Sequence, residues 1–168
     1  MKISVVLPAK NEAGAIEQTI KGIKGLELVH EIIVINDGST DSTKEIAETA
    51  GAKVISHPYS KGNGAAIKTG ARNATGNIIV FMDADGQHNA NDIFKLIERI
   101  DQGYDLVVGA RQKGSQASIG RGIANKLYNN LATYMSDHPV EDLTSGFRAV
   151  RAEKFREFIY LLPNGFSY

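Results

Sequence analysis

Asp83-Ala84-Asp85 sets two carboxylates one residue apart at the end of an apolar run, Ile78-Ile79-Val80-Phe81-Met82, bounded by Gly76 and Gly86. Residues i and i+2 of an extended segment point to the same side, so Asp83 and Asp85 can converge on one ligand. Two hard oxygen donors this close repel each other unless a cation lies between them, and Mg²⁺ or Mn²⁺ carrying a diphosphate is the usual occupant of such a pair. A solvated Asp-x-Asp turn is the plain alternative. Lys61-Gly62-Asn63-Gly64 precedes a stretch of small residues with helical character. Glycines there permit close backbone approach, and a helix N-terminus favours phosphate. Arg111 and Arg121 fall in a segment rich in Gly, Ser and Lys, where guanidiniums could grip a phosphate bidentately; a solvated basic surface is the competing reading.

Asp37 follows another apolar run, Ile32-Ile33-Val34-Ile35, where a carboxylate can accept the N–H of a uracil or guanine base. Asp37-Gly38 also reads as a turn and Asp41 as a helix cap. Glu12 lies just past the first apolar run, where a carboxylate suits a helix start equally well.

The elements that must position these groups alternate from the first residue. Strands are expected at Ile3–Leu7, stopped by Pro8, then at Glu31–Asn36, Lys53–Ser56, Asn77–Met82, Asp105–Gly109 and near Phe147–Val150. Helices are expected at Ala13–Lys24, from the capping-box pattern Ser42-Thr43-Lys44-Glu45 to Gly51, at Gly64–Asn73, from Asn91 or Asp92 through Ile100, from about Ile119 to Tyr134, and from Ala152. Alternating β and α with continuous apolar strands implies an α/β fold, a mainly parallel sheet with helices on both faces. Open sheets of this kind bind ligands at the carboxyl ends of their strands.

With 168 residues the chain is expected to form one domain, 1–168, with a single core. Nineteen acidic residues balance nineteen basic ones, so no global field recruits nucleic acid. Cysteine is absent, which removes disulfides, zinc-thiolate sites and thiol chemistry and fits a reducing compartment. The apolar runs fall far short of the roughly 18 residues that span a bilayer. No signal peptide is read before the first strand. The expected location is the cytoplasm, with a role at the inner membrane face left open.

Three common phosphate or acyl devices are missing. The turn after the first strand reads Pro8-Ala9-Lys10-Asn11-Glu12-Ala13, not the glycine fingerprint of a dinucleotide fold, and neither a P-loop nor a nucleophile elbow occurs.

What stands there instead resembles the family 2 glycosyltransferases and their nucleotide-sugar-binding GT-A fold. Five motifs carry the resemblance in the family's order: Val6-Leu7-Pro8-Ala9-Lys10-Asn11-Glu12, Val34-Ile35-Asn36-Asp37-Gly38-Ser39-Thr40-Asp41, Lys61-Gly62-Asn63-Gly64-Ala65-Ala66, Asp83-Ala84-Asp85, and Asp142-Leu143-Thr144-Ser145-Gly146-Phe147-Arg148. The Asp-Ala-Asp-Gly-Gln-His form and the Thr-Ser-Gly-Phe-Arg segment are most similar to the branch of dolichol-phosphate mannose synthases and polyprenyl-phosphate glycosyltransferases. The resemblance implies inverting transfer of a hexose from a UDP- or GDP-sugar, with Mg²⁺ or Mn²⁺ on Asp83 and Asp85. It places Pro8, Ala9, Asn11, Glu12 and Asp37 around base and ribose, Lys61 and Gly62 beside the nucleotide, Ala84 within the metal motif and Gln87 at the sugar. Arg111 and Arg121 are implied at phosphate, and Asp142 as a general base. The implied acceptor is a polyprenyl phosphate at the membrane surface. Being already anionic, with a second pKa of about 6, it needs positioning more than deprotonation, which shifts weight from Asp142 to the arginines.

Family domains of this kind run longer, so a C-terminal truncation is expected. Rival readings are a non-catalytic nucleotide-sugar-binding module, a glycosyltransferase with a saccharide hydroxyl acceptor, and a nucleotidyltransferase, whose glycine-rich loop after the first strand is absent. A homo-oligomer is left open.

Overall fold

The computed structural model describes residues 1–109 and 145–164. Within them lies a six-stranded sheet in the order β3-β2-β1-β4-β6-β5, formed by β1 (Ile3–Ala9), β2 (Val29–Asn36), β3 (Lys53–Ser56), β4 (Ile78–Phe81), β5 (Leu106–Val108) and β6 (Arg148–Arg151). β1 pairs in parallel with β2 and with β4, and β2 with β3. β6 enters between β4 and β5 and runs antiparallel to both. The sheet is therefore mixed, as its alternating α/β pattern with a late irregular stretch allowed.

Helices α1 (Ile16–Lys24), α2 (Thr43–Thr49) and α4 (Asp92–Asp101) cover one face, and α3 (Asn63–Asn73) and α5 (Ala152–Phe158) the other. The period-two alternation of β1 sorts the two cores. Ile3, Val5 and Leu7 join Ile16, Ile20, Ile23, Ile93 and Ile100 on the first face, while Val6 joins Ala66, Ile67 and Ala71 on the second. Small residues on α3 let it approach closely: a Cβ on Gly70 would lie 2.2 Å from a Val6 methyl.

Several boundaries differ from expectation. β1 continues through Pro8 to Ala9 rather than stopping at the proline. The amide of Met82 donates to Val6 O and that of Asp37 to Ala9 O, so even positions of β1 face β4 and odd ones β2. Pro8 thus lacks its N–H on the β4 side, where pairing with β4 has ended at Val6↔Phe81. The first helix begins at Ile16, preceded by a turn in which Glu12 O accepts from Ala15 and Ile16. The Ser42 capping box does not form; Asp41 Oδ1 instead accepts from the Thr43 amide and hydroxyl at the α2 start. The helix expected over 119–134 lies outside the described residues.

The connections from β1 lead through β2 to β3 on one side, whereas β4 opens the other half of the sheet. The order reverses between β1 and β4, and the crevice at the carboxyl ends of these two strands is where such sheets hold ligands.

Candidate functional site

Asp83 and Asp85 stand at that crevice, in the turn that follows β4. The strand ends at Phe81, so turn geometry rather than strand alternation sets the two carboxylates. Between them Ala84 is 2% exposed, and its carbonyl accepts from Thr19 Oγ1 at 3.4 Å, which anchors the turn on α1. Asp85 Oδ1 accepts from the Gln87 amide at 3.0 Å. The Gln87 side chain is exposed.

Glu12 reaches the same electrostatic neighbourhood from the end of β1. Burial pushes its carboxyl above the ordinary range, and the negative charges of Asp85, Asp41 and Asp83 push it further the same way. Glu12 thus lies within electrostatic reach of Asp83 and Asp85. Among the described residues, the only basic side chain within ion-pair distance of either aspartate is His88, with Nε2 3.5 Å from Asp83 Oδ2. His88 is not a free surface histidine: its side chain is 15% exposed and its ring stacks on Phe147 at 5.0 Å. Gly146 presses on Asp83 from the other side, where a Cβ would fall 2.5 Å from Oδ2. The Ser145–Phe147 segment therefore buttresses the first carboxylate of the pair.

The donor set suits a hard divalent cation. No group of three or more His, Cys, Asp or Glu side chains among the described residues could enclose a metal alone. Two carboxylates leave positions for phosphate oxygens and water, as a Mg²⁺-type site requires.

Because the folded state raises the Glu12 pKa, its ionised form opposes folding at pH values above the ordinary 4.5, and any advantage is confined to lower pH. Replacing Glu12 with Gln should therefore raise the apo protein's unfolding free energy at pH 7 modestly, by less than about 1 kcal/mol. The difference should vanish near pH 4. Denaturant melts of both proteins at the two pH values check this; a Glu12→Gln protein less stable at pH 7 contradicts it.

Asn11 is engaged within the chain. It adopts a left-handed backbone, φ 58°, and its Oδ1 accepts from the Thr40 amide while its own amide donates to Ser39 Oγ. With Glu12 N on Thr43 Oγ1 and Ala13 N on Asp41 Oδ2, these bonds tie the β1–α1 loop to the β2–α2 loop. Ala9 is 3% exposed and its carbonyl is taken by the Asp37 amide, so of the pair only Pro8 is partly exposed.

Asp37 is likewise engaged within the chain. It is 5% exposed, and both oxygens are engaged within the chain. Oδ1 accepts from the Lys61 amide at 2.9 Å and lies 2.6 Å from His57 Nδ1. Oδ2 accepts from Ser60 Oγ at 2.8 Å and from the Gly62 amide at 2.9 Å. A carboxylate offers about four lone-pair positions, and four donors fill them. Burial raises the Asp37 pKa, but the bonds from His57, Lys61, Ser60 and Gly62 outweigh it and hold the carboxyl below its ordinary 3.8. Asp37 organises the Lys61–Gly62 loop, and a base N–H reaches it only by displacing one of these partners. The Lys61 ammonium stays at the surface, 5.6 Å over the Tyr59 ring. Arg111, Arg121 and Asp142 lie outside the described residues.

A family model described as glycosyl transferase family 2 matches residues 4–159. The chain belongs to that family. Its relatives include the undecaprenyl-phosphate 4-deoxy-4-formamido-L-arabinose transferase of Proteus mirabilis, 33% identical over 89% of this chain and 49% of the relative. Another is the dolichol-phosphate mannosyltransferase of Pyrococcus furiosus, 35% identical over 99% of this chain and 51% of the relative. The chain spans about half the length of both. Among solved structures, glucosyl-3-phosphoglycerate synthase from Mycobacterium tuberculosis, crystallised with Mn²⁺ and UDP-glucose, superimposes with a TM-score of 0.75 at 32% identity, over 90% of this chain and 56% of that one. The family 2 chain has the GT-A fold that its motifs implied, with the Asp-Ala-Asp turn at the sheet's switch point.

Proposed function

We propose that this chain is the donor-binding domain of an inverting hexosyltransferase, which takes the sugar from a UDP- or GDP-sugar and delivers it to the phosphate of a polyprenyl acceptor. The observation that carries the reading is the Asp83-Ala84-Asp85 turn at the carboxyl end of β4, whose charges are felt by the Glu12 carboxyl beyond the end of β1. Such a pair of carboxylates suits a cation that arrives with a diphosphate. Mn²⁺ in the mycobacterial structure supports a divalent cation here, and Mg²⁺ fits the same oxygen set. Bound there, the cation would neutralise charge on the departing diphosphate.

The chain's own residues hold the donor. Asp83 and Asp85 would anchor the diphosphate end through the metal, Pro8 and Glu12 would border the nucleoside at the end of β1, and the Gln87 side chain would face the sugar. Lys61 and Gly62 line the nucleotide, with the Lys61 ammonium free to swing toward phosphate. The acceptor oxygen attacks C1 from the face opposite the diphosphate, the C1–O bond to the diphosphate breaks, and no covalent enzyme intermediate is required.

The names of the relatives favour a phosphorylated acceptor: undecaprenyl phosphate, dolichol phosphate and phosphoglycerate each carry one. Two of the three are polyprenyl phosphates, which favours an acceptor at a membrane surface. Among the described residues no helix is long and apolar enough to cross a membrane. A phosphate nucleophile is already charged, so Arg111 and Arg121 would compensate it, or the leaving group, more than Asp142 would deprotonate it. Arg111→Ala or Arg121→Ala should then lower single-turnover hexose transfer to a short polyprenyl phosphate about tenfold or more, with Asp142→Asn affecting it less. If Asp142→Asn alone abolishes transfer and both arginine variants match wild type, a hydroxyl acceptor with Asp142 as its base is the correct reading.

A further inference from the structure

We infer that His57 is a positioning residue of the donor site: through Asp37 it fixes the backbone of Lys61 and Gly62, against which the donor's nucleotide is held. The inference rests on the donor reading above for its functional part, and on the geometry of the β3–α3 loop for the rest.

His57 follows β3 and is 8% exposed, so it cannot itself meet a ligand. Its amide donates to Asn36 O at 2.9 Å, which ties the ends of β2 and β3 together. Both ring nitrogens are engaged. Nδ1 lies 2.6 Å from Asp37 Oδ1, and since a carboxylate only accepts, Nδ1 carries the proton. Nε2 lies 2.9 Å from Thr69 Oγ1 on α3, so the ring is held at both ends and cannot rotate without breaking a bond. A histidine that merely filled the core would not need two directional partners on two different elements.

The same Asp37 carboxylate accepts from the Lys61 and Gly62 amides and from the Ser60 hydroxyl. His57 thus stands behind Asp37 and the loop stands in front. Two further features leave the loop little freedom. The Gly38 backbone packs so closely on the loop that a Cβ there would be 2.6 Å from the Ser60 nitrogen. Gly62 has φ +94°, a conformation that L side chains rarely adopt, and it caps the eleven-residue α3. The orientation of two amides at the nucleotide edge is therefore set by one carboxylate whose own orientation is set by one imidazole.

The test compares wild type with His57→Ala, His57→Asn and Thr69→Val. Asparagine can keep a donor near the Nδ1 position, and valine removes only the partner of Nε2. Amide NMR of the apo proteins reads Lys61 and Gly62 directly, and calorimetry with UDP and with GDP in Mn²⁺ reads the donor site. His57→Ala should shift both amides, lower their exchange protection and weaken the preferred nucleotide about tenfold, as expected when buried donors lose their fixed acceptor. His57→Asn should recover most of that affinity, and Thr69→Val should lose less, about threefold. Should His57→Ala fail to fold, the asparagine and valine variants decide by the same two readouts. Unmoved Lys61 and Gly62 amides, or amides that move while nucleotide affinity stays at the wild-type value, would overturn the inference. Wild-type protein that binds neither nucleotide overturns the donor reading, and the donor-site role of His57 with it. Wild type that binds beside variants that bind equally well overturns this inference alone.

Discussion

Asp83→Asn or Asp85→Asn should weaken Mn²⁺-dependent binding of the preferred nucleoside diphosphate at least about tenfold, or about 1.4 kcal/mol. On the proposed reading, either change removes one of two charged oxygen ligands, and no group of three such side chains among the described residues could hold a metal. Asparagine keeps the shape and one carbonyl oxygen, so the Gln87 amide bond at Asp85 and the Gly146 contact at Asp83 would persist. A loss of binding would then report charge rather than a collapsed turn. Both substitutions also relieve repulsion on Glu12, so the apo variants should be no less stable than wild type. Calorimetry with Mn²⁺ and with EDTA, beside a melt of each apo protein, separates the two effects. Weakened binding in Mn²⁺ with unchanged weak binding in EDTA is the expected pattern. A variant whose Mn²⁺-dependent affinity equals wild type would remove that aspartate from the metal site.

The largest expected stability effect is at Asp37. Asp37→Ala strands four donors at once, two of them backbone amides and one a buried ring nitrogen, and should cost about 3 kcal/mol. Because the folded state holds the Asp37 carboxyl below its ordinary 3.8, its contribution is fully present above that pH and is lost as pH falls through the folded value. The stability difference between wild type and Asp37→Ala should therefore be constant from about pH 5 to 7 and shrink below pH 3.8. Denaturant melts across that range measure it. A difference that grows on acidification, or one below about 1 kcal/mol at pH 7, would mean that the four bonds are not the source of the stability.

The elements were legible because burial wrote them into composition. Ile32–Ile35 and Ile78–Phe81 are continuous apolar runs, and α1 and α4 carry isoleucines at helical spacing, Ile16, Ile20 and Ile23 on one and Ile93, Ile97 and Ile100 on the other. Lys53–Ser56 agrees end to end with β3. Pairing was less legible, since β6 reads as a short strand whether it runs parallel or antiparallel, and only tertiary contacts put it between β4 and β5. Pro8 misled about where β1 ends because its cost depends on whether a neighbour still pairs on that side.

At the site, residue types were readable and partners were not. The Asp-Ala-Asp spacing reads as a cation site from sequence, and that Glu12 feels both of its charges follows only from the fold. Asp37 and His57 are twenty residues apart, and Asp37 and Gly62 twenty-five. No local pattern shows which donors meet the carboxylate. Ser56-His57-Pro58 carries no motif, so His57 gave no signal of its own. Asp41 was the easier case, since a cap needs only a neighbour two residues on.

The central claim, that the crevice between β1 and β4 holds a nucleotide sugar through a divalent cation, is tested most directly by titrating the 168-residue chain with UDP-glucose, GDP-mannose and dTDP-glucose, each with Mn²⁺ and with EDTA, in a calorimeter. Saturable binding of a UDP- or GDP-sugar in Mn²⁺ that falls at least about tenfold in EDTA is the expected result. Equal affinity for that sugar nucleotide in Mn²⁺ and in EDTA, or no binding of any of the three in Mn²⁺, would contradict it.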